Sequence, residues 1–187
     1  MLTIIIIIAV VLVLGGMIAS IYNNLVRLRN NRENAFADID VHLKQRHDLI
    51  PQLVETVKGY AAHEKETLEN VTAARSGAVN AKTIDEKIKA ENALTSALAG
   101  LRVTVEAYPD LKANQNFLHL QGEISGIEEK LAGSRRVFNA ATKQYNDAVQ
   151  VFPANLIAGM FGFHKETMFD LGEENRQRLE EAPKIQF

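Results

Sequence analysis

The run from Leu2 to Ile21 carries no charged side chain, and Thr3 and Ser20 hold its only hydroxyls. As an α-helix rising about 1.5 Å per residue it spans about 30 Å, the hydrocarbon thickness of a bilayer. A buried core helix of that length with no polar face needs protein on every side, which a chain of 187 residues does not supply. A cleaved signal peptide needs cations ahead of a shorter apolar stretch. No Lys or Arg precedes Leu2, and Met17-Ile18-Ala19-Ser20 matches a small-residue cleavage site poorly. The chain has no Cys, which excludes a lipidated Cys anchor, a disulfide framework and thiolate metal sites. Residues 1–21 are therefore expected to form a single-pass anchor, with residues 2–21 in contact with the lipid bilayer. Arg27, Arg29 and Arg32 follow the span and none precede it. The positive-inside rule then puts the N-terminus outside and the C-terminal domain in the cytoplasm.

The remainder predicts an all-α fold: the transmembrane helix runs continuously into an elongated antiparallel bundle of three long helices, with short C-terminal helical pieces. Phe36, Ile39, Leu43, Ile50, Leu53, Val57, Tyr60, Val71 and Ala74 recur at three- and four-residue spacing, interrupted by Arg46, Glu64 and Thr67. No break signal is read between this register and the apolar run. Pro51 lies inside it, deprives the His47 carbonyl of its helical donor, and predicts a kink or a restart there. Ser76 to Lys82 is expected to be the first connection. Thr83 and Glu86 fit a capping box, so a second helix starts there and stops near Tyr108-Pro109-Asp110. The third helix has the cleanest pattern, with Phe117, Ile124, Leu131, Phe138, Tyr145 and Phe152 seven apart, beside Leu120, Ile127, Ser134, Ala141 and Ala148. Gly122, Gly126 and Gly133 either permit close helix approach or are tolerated at about 1 kcal/mol each. Pro153 ends this helix. The apolar stretch from Leu156 to Leu171 is too short and Gly-punctuated to span a membrane, and is expected to fold over the bundle as a flap. Residues 22–171 thus form the helical domain, and 172–187 a polar, frayed tail.

A search for chemistry finds little. Lys+Arg total 21 against 23 for Asp+Glu, a net charge of −2, so a broadly basic nucleic-acid binder is excluded. The five His occur in no Glu-x-x-His or His-Glu-x-x-His motif. The pairs Asp38 with His42 and His119 with Glu123 each offer only two ligands, and read as surface pairs. No nucleophile elbow, P-loop or dinucleotide-binding glycine pattern occurs. A cluster of alternating charge spans Asp38, Asp40, His42, Lys44, Arg46, His47 and Asp48. Most of it suits a solvated face, but Arg46 falls on the apolar seam, where it must snorkel, pair within the bundle or meet another chain. Arg46, His47, Asp48 and Glu64 are accordingly the candidate partner or register residues.

Several strings in the chain are more specific than a helical seam requires. They are Tyr22-Asn-Asn-Leu-Val-Arg-Leu-Arg-Asn30, Ala37-Asp-Ile-Asp-Val41, Leu43-Lys-Gln-Arg-His-Asp-Leu-Ile-Pro51 and Thr56-Val-Lys-Gly-Tyr-Ala61. Ala90-Glu-Asn92, Glu106-Ala-Tyr-Pro-Asp-Leu-Lys-Ala-Asn114, Tyr145-Asn146 and Phe152-Pro153 join them. In these the chain resembles the LemA family over roughly residues 1–170, with Phe36 where the family often has Trp. The resemblance implies a bacterial cytoplasmic (inner) membrane protein with one N-terminal span and a helical cytoplasmic domain. It brings no catalytic residue.

The function expected from these observations is that of a membrane-anchored helical interaction or scaffold protein, not an enzyme, without cofactor or nucleic acid. Its expected partners are the bilayer, other membrane proteins, and itself as a homo-oligomer. The competing readings are an enzyme with an unrecognised site between helices, and a lipid or ligand sensor using residues 156–171.

Overall fold

The computed structural model describes residues 1–169. The tail expected at 172–187 lies outside these described residues. Among them the chain forms helices and no strand, as the all-α expectation requires: α1 (Leu2–Lys58), α2 (Lys65–Asn80), α3 (Ile84–Val105), α4 (Pro109–Lys112), α5 (Gln115–Gln150) and α6 (Ala154–Phe161). They fall into two compact units. The first comprises Met1–Asp38 and Ser134–Met168, and the second Ile39–Gly133 with Phe169.

In the first unit, the early part of α1 lies antiparallel to the late part of α5. Leu25 packs with Tyr145 and Val149, and Phe36 meets Phe138 edge-on with ring centroids 5.3 Å apart. The seven-residue pattern supplies Phe138 and Tyr145 to this core, but Phe152 beyond Gln150 is 80% exposed. α6 adds Ala158, and Phe163 just after it joins the same core. It stops at Gly162, whose φ of 73° is left-handed and costs glycine nothing. The Phe163 N–H then returns to the Ala158 carbonyl at 2.9 Å, and the ring drops onto the core.

The second unit is built from α1 after Ile39, α2, α3, α4 and α5 up to Gly133. Its core joins Ile50, Leu53 and Val57 of α1, Leu68 and Val71 of α2, Leu94, Leu101 and Val105 of α3, Leu111 of α4, and Phe117, Leu120 and Ile124 of α5. The capping box forms as the sequence requires. Thr83 Oγ1 accepts from Glu86 N–H at 3.2 Å and Glu86 Oε2 accepts from Thr83 N–H at 3.2 Å.

Three local expectations are corrected. The register read from Phe36 to Ala74 as one helix breaks at Gly59–Glu64, so the first connection is there. Lys58 in the last turn followed by Gly59 is an ordinary C-terminal stop signal. Of Ser76 to Lys82, expected as the connection, residues 76–80 are helical, and the turn is confined to 81–83. Of the kink and the restart open at Pro51, the restart does not occur, because helix α1 runs through it. As for the glycines of α5, a Cβ built at Gly122, Gly126 or Gly133 meets nothing within 4 Å, so these glycines serve no close approach among the described residues.

Candidate functional site

The charged residues that the sequence singles out separate into three groups. Arg46 is buried in the second unit and pairs within the bundle rather than snorkelling. Its Nη2 donates to Thr95 Oγ1 at 3.0 Å, and its Nη1 stands 3.8 Å from Glu91 Oε2. His47 Nε2 hydrogen-bonds the other Glu91 oxygen at 2.6 Å. One carboxylate from α3, itself 1% exposed, thus holds two consecutive α1 side chains. Arg46 Nε and Glu91 Oε2 lack a hydrogen-bond partner, so the pair is a charge contact short of full satisfaction.

Beside this network Pro51 explains an arginine. The His47 carbonyl, which Pro51 cannot serve, accepts from Arg75 Nε of α2 at 2.7 Å. A guanidinium from a neighbouring helix thus replaces the missing i→i−4 donor, and α1 passes through the proline without restarting.

Asp48, by contrast, is exposed. Its carboxyl takes a hydrogen bond from the Lys44 ammonium at 2.9 Å, which holds it below the usual carboxylate range. That is an ordinary i,i+4 surface pair. Glu64 belongs to a second linkage. It accepts from the Tyr108 hydroxyl at 2.9 Å, and this bond raises the phenol above its ordinary value. Asn114 Nδ2 donates to the Tyr60 hydroxyl at 2.8 Å while its Oδ1 caps α5 by accepting from Phe117 N–H at 3.0 Å. The string from Glu106 to Asn114 therefore ties the Gly59–Glu64 connection to the α4 turn, with Pro109 at the first turn of α4 and Leu111 fully buried. Of the two surface pairs, His119 Nε2 stands 3.9 Å from Glu123, and His42 contacts Gln45 rather than Asp38.

A cavity of about 240 Å³ opens in the second unit between α3 and α5, lined by Leu53, Thr95, Leu101, Arg102, Phe117 and Ile124 among others. Small-molecule sites begin at about 300 Å³. None of His47, Asp48, His63 or Glu64 lines it, so this cavity is not the shared one that the enzyme reading needs around those groups.

In the first unit Arg32, one of the three arginines that follow the anchor, is also taken inside. It pairs with Glu166 at 3.2 Å, donates to the Thr167 carbonyl at 3.2 Å, and lies 5.0 Å from the centre of the Phe138 ring. Asn146 fixes the same segment by donating to the Glu166 carbonyl at 2.9 Å and accepting from its N–H at 2.8 Å. The residues that sequence reasoning missed are Glu91 and Arg75. Their apolar-face positions on α3 and α2, and for Glu91 its place in the string Ala90-Glu-Asn92, were the signals available.

Arg46-His47, Glu91 and Tyr108 lie in strings that carried the family resemblance, and direct comparison decides the question. The model of the LemA family matches residues 35–187. The chain belongs to the LemA family. Among its relatives, protein LemA of Metamycoplasma hominis is 29% identical over 157 residues, covering 82% of this chain and 71% of that protein. Magnetosome protein MamQ of Magnetospirillum gryphiswaldense is 23% identical over 175 residues, covering 79% and 64% respectively. Magnetosome protein MamQ 2 of Paramagnetospirillum magneticum is 22% identical over 174 residues with the same coverage. The chain thus spans less than two thirds of the magnetosome relatives. LemA-family membership is in keeping with the membrane association indicated by the apolar stretch of α1. Neither the family nor these relatives bear the name of an enzyme. In this chain residues of the LemA-type strings pair helices and connections with one another.

Proposed function

We propose that this LemA-family chain is a membrane-anchored interaction protein that acts by what its helical surfaces touch. In this reading it self-assembles or holds other membrane proteins, with its N-terminus outside and the helical domain in the cytoplasm. The observation that carries it is α1. Its apolar run has a mean hydropathy of 3.1 and is 0% buried, yet the same uninterrupted helix goes on to supply Leu25 and Phe36 to the core of the first unit. A water-soluble protein does not leave an apolar surface of that size uncovered. The apolar run and the first unit therefore share one helix. Kinship with proteins named for the magnetosome supports the membrane setting. Arg27 and Arg29 remain exposed after the span and support the orientation, whereas Arg32 is paired inside.

The test is the mass of the full chain purified in mild detergent, together with crosslinking and pull-down from native membranes. The reading expects a multiple of the 20.8 kDa protomer or a reproducible membrane-protein partner. A strict monomer with nothing crosslinked to it refutes the reading.

A further inference from the structure

Helix α6 has no charged residue, and its sequence Ala-Asn-Leu-Ile-Ala-Gly-Met-Phe is apolar on nearly every side. A helix of that kind requires an apolar neighbour all round. The protein provides one on a single side only. Ile157 and Ala158 face inward, while Leu156 is 58% exposed, Met160 77% and Phe161 52%. Leu156 and Met160 are four apart and share the outer face. The expected flap thus covers the core with one face and leaves the other bare.

The position of that bare face indicates what covers it. Phe161 and Phe163 both meet the Tyr22 ring edge-on, at 4.9 and 5.7 Å. Tyr22 immediately follows the apolar run, and Ile21, its last residue, packs on the same core as Phe163. Arg29 lies 5.3 Å from the centre of the Phe163 ring. A tyrosine with arginines one and two turns further on is the residue order found where a transmembrane helix leaves the hydrocarbon for the headgroups. Within this unit, then, α6 is fixed to α1 at the depth where the span ends. Phe161, half exposed, thereby brings the bare side of α6 to the border of the apolar run.

We propose that α6 is an interfacial membrane helix. Leu156 and Met160, with the neighbouring Phe152 and Phe161, enter the leaflet that receives the C-terminal end of the anchor. The occupant is lipid rather than a second copy of the chain, because the patch borders a surface that already requires lipid. Helices at this depth bury one face by about 5–10 Å. The consequence is a two-point attachment: the span fixes the chain in the bilayer, and α6, clamped through Tyr22, fixes how the first unit meets the surface. The inference rests on the reading of Leu2–Ile21 as a span.

The absence of Cys allows a clean test. Met160→Cys and Leu156→Cys, both at exposed positions, are labelled with an environment-sensitive fluorophore in the full chain. The protein is reconstituted into vesicles of phosphatidylethanolamine and phosphatidylglycerol. Val11→Cys in the span and Gln144→Cys on the exposed side of α5 are the references. The proposal expects the 156 and 160 labels to emit to the blue of the 144 label. It also expects them to be quenched by nitroxide-bearing lipid and to lose most of the iodide quenching seen at 144. Iodide quenching at 156 and 160 equal to that at 144, with 11 still quenched by lipid, overturns the proposal and leaves the anchor standing. Protection from both quenchers identifies a protein neighbour and also overturns it. Iodide quenching at 11 removes the span and the inference with it.

Discussion

Replacing Glu91 with Leu tests the buried network most sharply. The substitution nearly conserves volume, so packing changes little. What it removes is the acceptor for two α1 side chains. Arg46, 1% exposed, is left as a buried cation without a counter-charge, which costs about 3–5 kcal/mol. The His47 ring nitrogen loses a 2.6 Å hydrogen bond in a site it cannot easily leave, and an unsatisfied buried polar group costs about 1–3 kcal/mol. The two losses overlap through relaxation, so about 4 kcal/mol is expected. That is a large share of the 5–15 kcal/mol that holds a typical domain together. Arg46→Met combined with Glu91→Leu removes both charges and should recover most of the loss, since apolar replacement of a buried pair is often neutral or better. The assay is urea unfolding of the full chain in mild detergent, followed by helical circular dichroism. Amide hydrogen exchange along α3 locates the effect in the second unit. If Glu91→Leu costs under about 0.5 kcal/mol, or the double variant costs the sum of the two single ones, Arg46 and Glu91 are not an energetically coupled buried pair and the reasoning fails.

Four further expectations use the same assays. Arg75→Met should cost about 1–3 kcal/mol by leaving the His47 carbonyl bare, and much less in a Pro51→Ala background, where residue 51 supplies the helical N–H; equal costs in both backgrounds refute the replacement-donor account. Thr83→Ala should cost about 1 kcal/mol through loss of the α3 cap. The Glu86 carboxyl, held below its usual range by the Lys82 and Thr83 N–H groups, contributes stability that is complete above the unfolded carboxylate value and fades as pH falls through the lower folded one. Amide protection in the first turn of α3 should therefore drop on acidification, and protection that is flat with pH contradicts the cap. Gly126→Ala should stabilise by about 0.5–1 kcal/mol because its Cβ enters open space; a loss of stability means that another surface approaches α5 there.

What was legible in the sequence is what local chemistry decides. The apolar helix at 2–21, the Thr83 cap, the stop before Pro109 and the heptads of α5 are each written within a few neighbouring residues. The break after Lys58 was also written locally, in Lys58-Gly59. It was overlooked because α2 resumes apolar spacing so close to the phase of α1 that Glu64 and Thr67 looked like interruptions of one helix. Arg46 could be recognised as anomalous because it sits on an apolar seam, but its partner Glu91 lies 44 residues from His47 in the chain. Only the folded bundle brings α3 against α1. The same holds for Arg75, whose target is a carbonyl exposed by a proline on another helix. The sequence correctly marked α6 as unable to span a membrane. It gave no means of knowing that an eight-residue helix would bury one face and leave Leu156 and Met160 outside.

Alkaline extraction of native membranes from cells making the full chain tests the central claim most directly. High pH strips proteins held by charge or by surface contact and leaves those that cross the hydrocarbon. The account predicts that the chain stays in the membrane pellet through the carbonate wash and leaves it only with detergent. Recovery in the carbonate supernatant contradicts the account, because the apolar run of α1 would then have found its cover in protein.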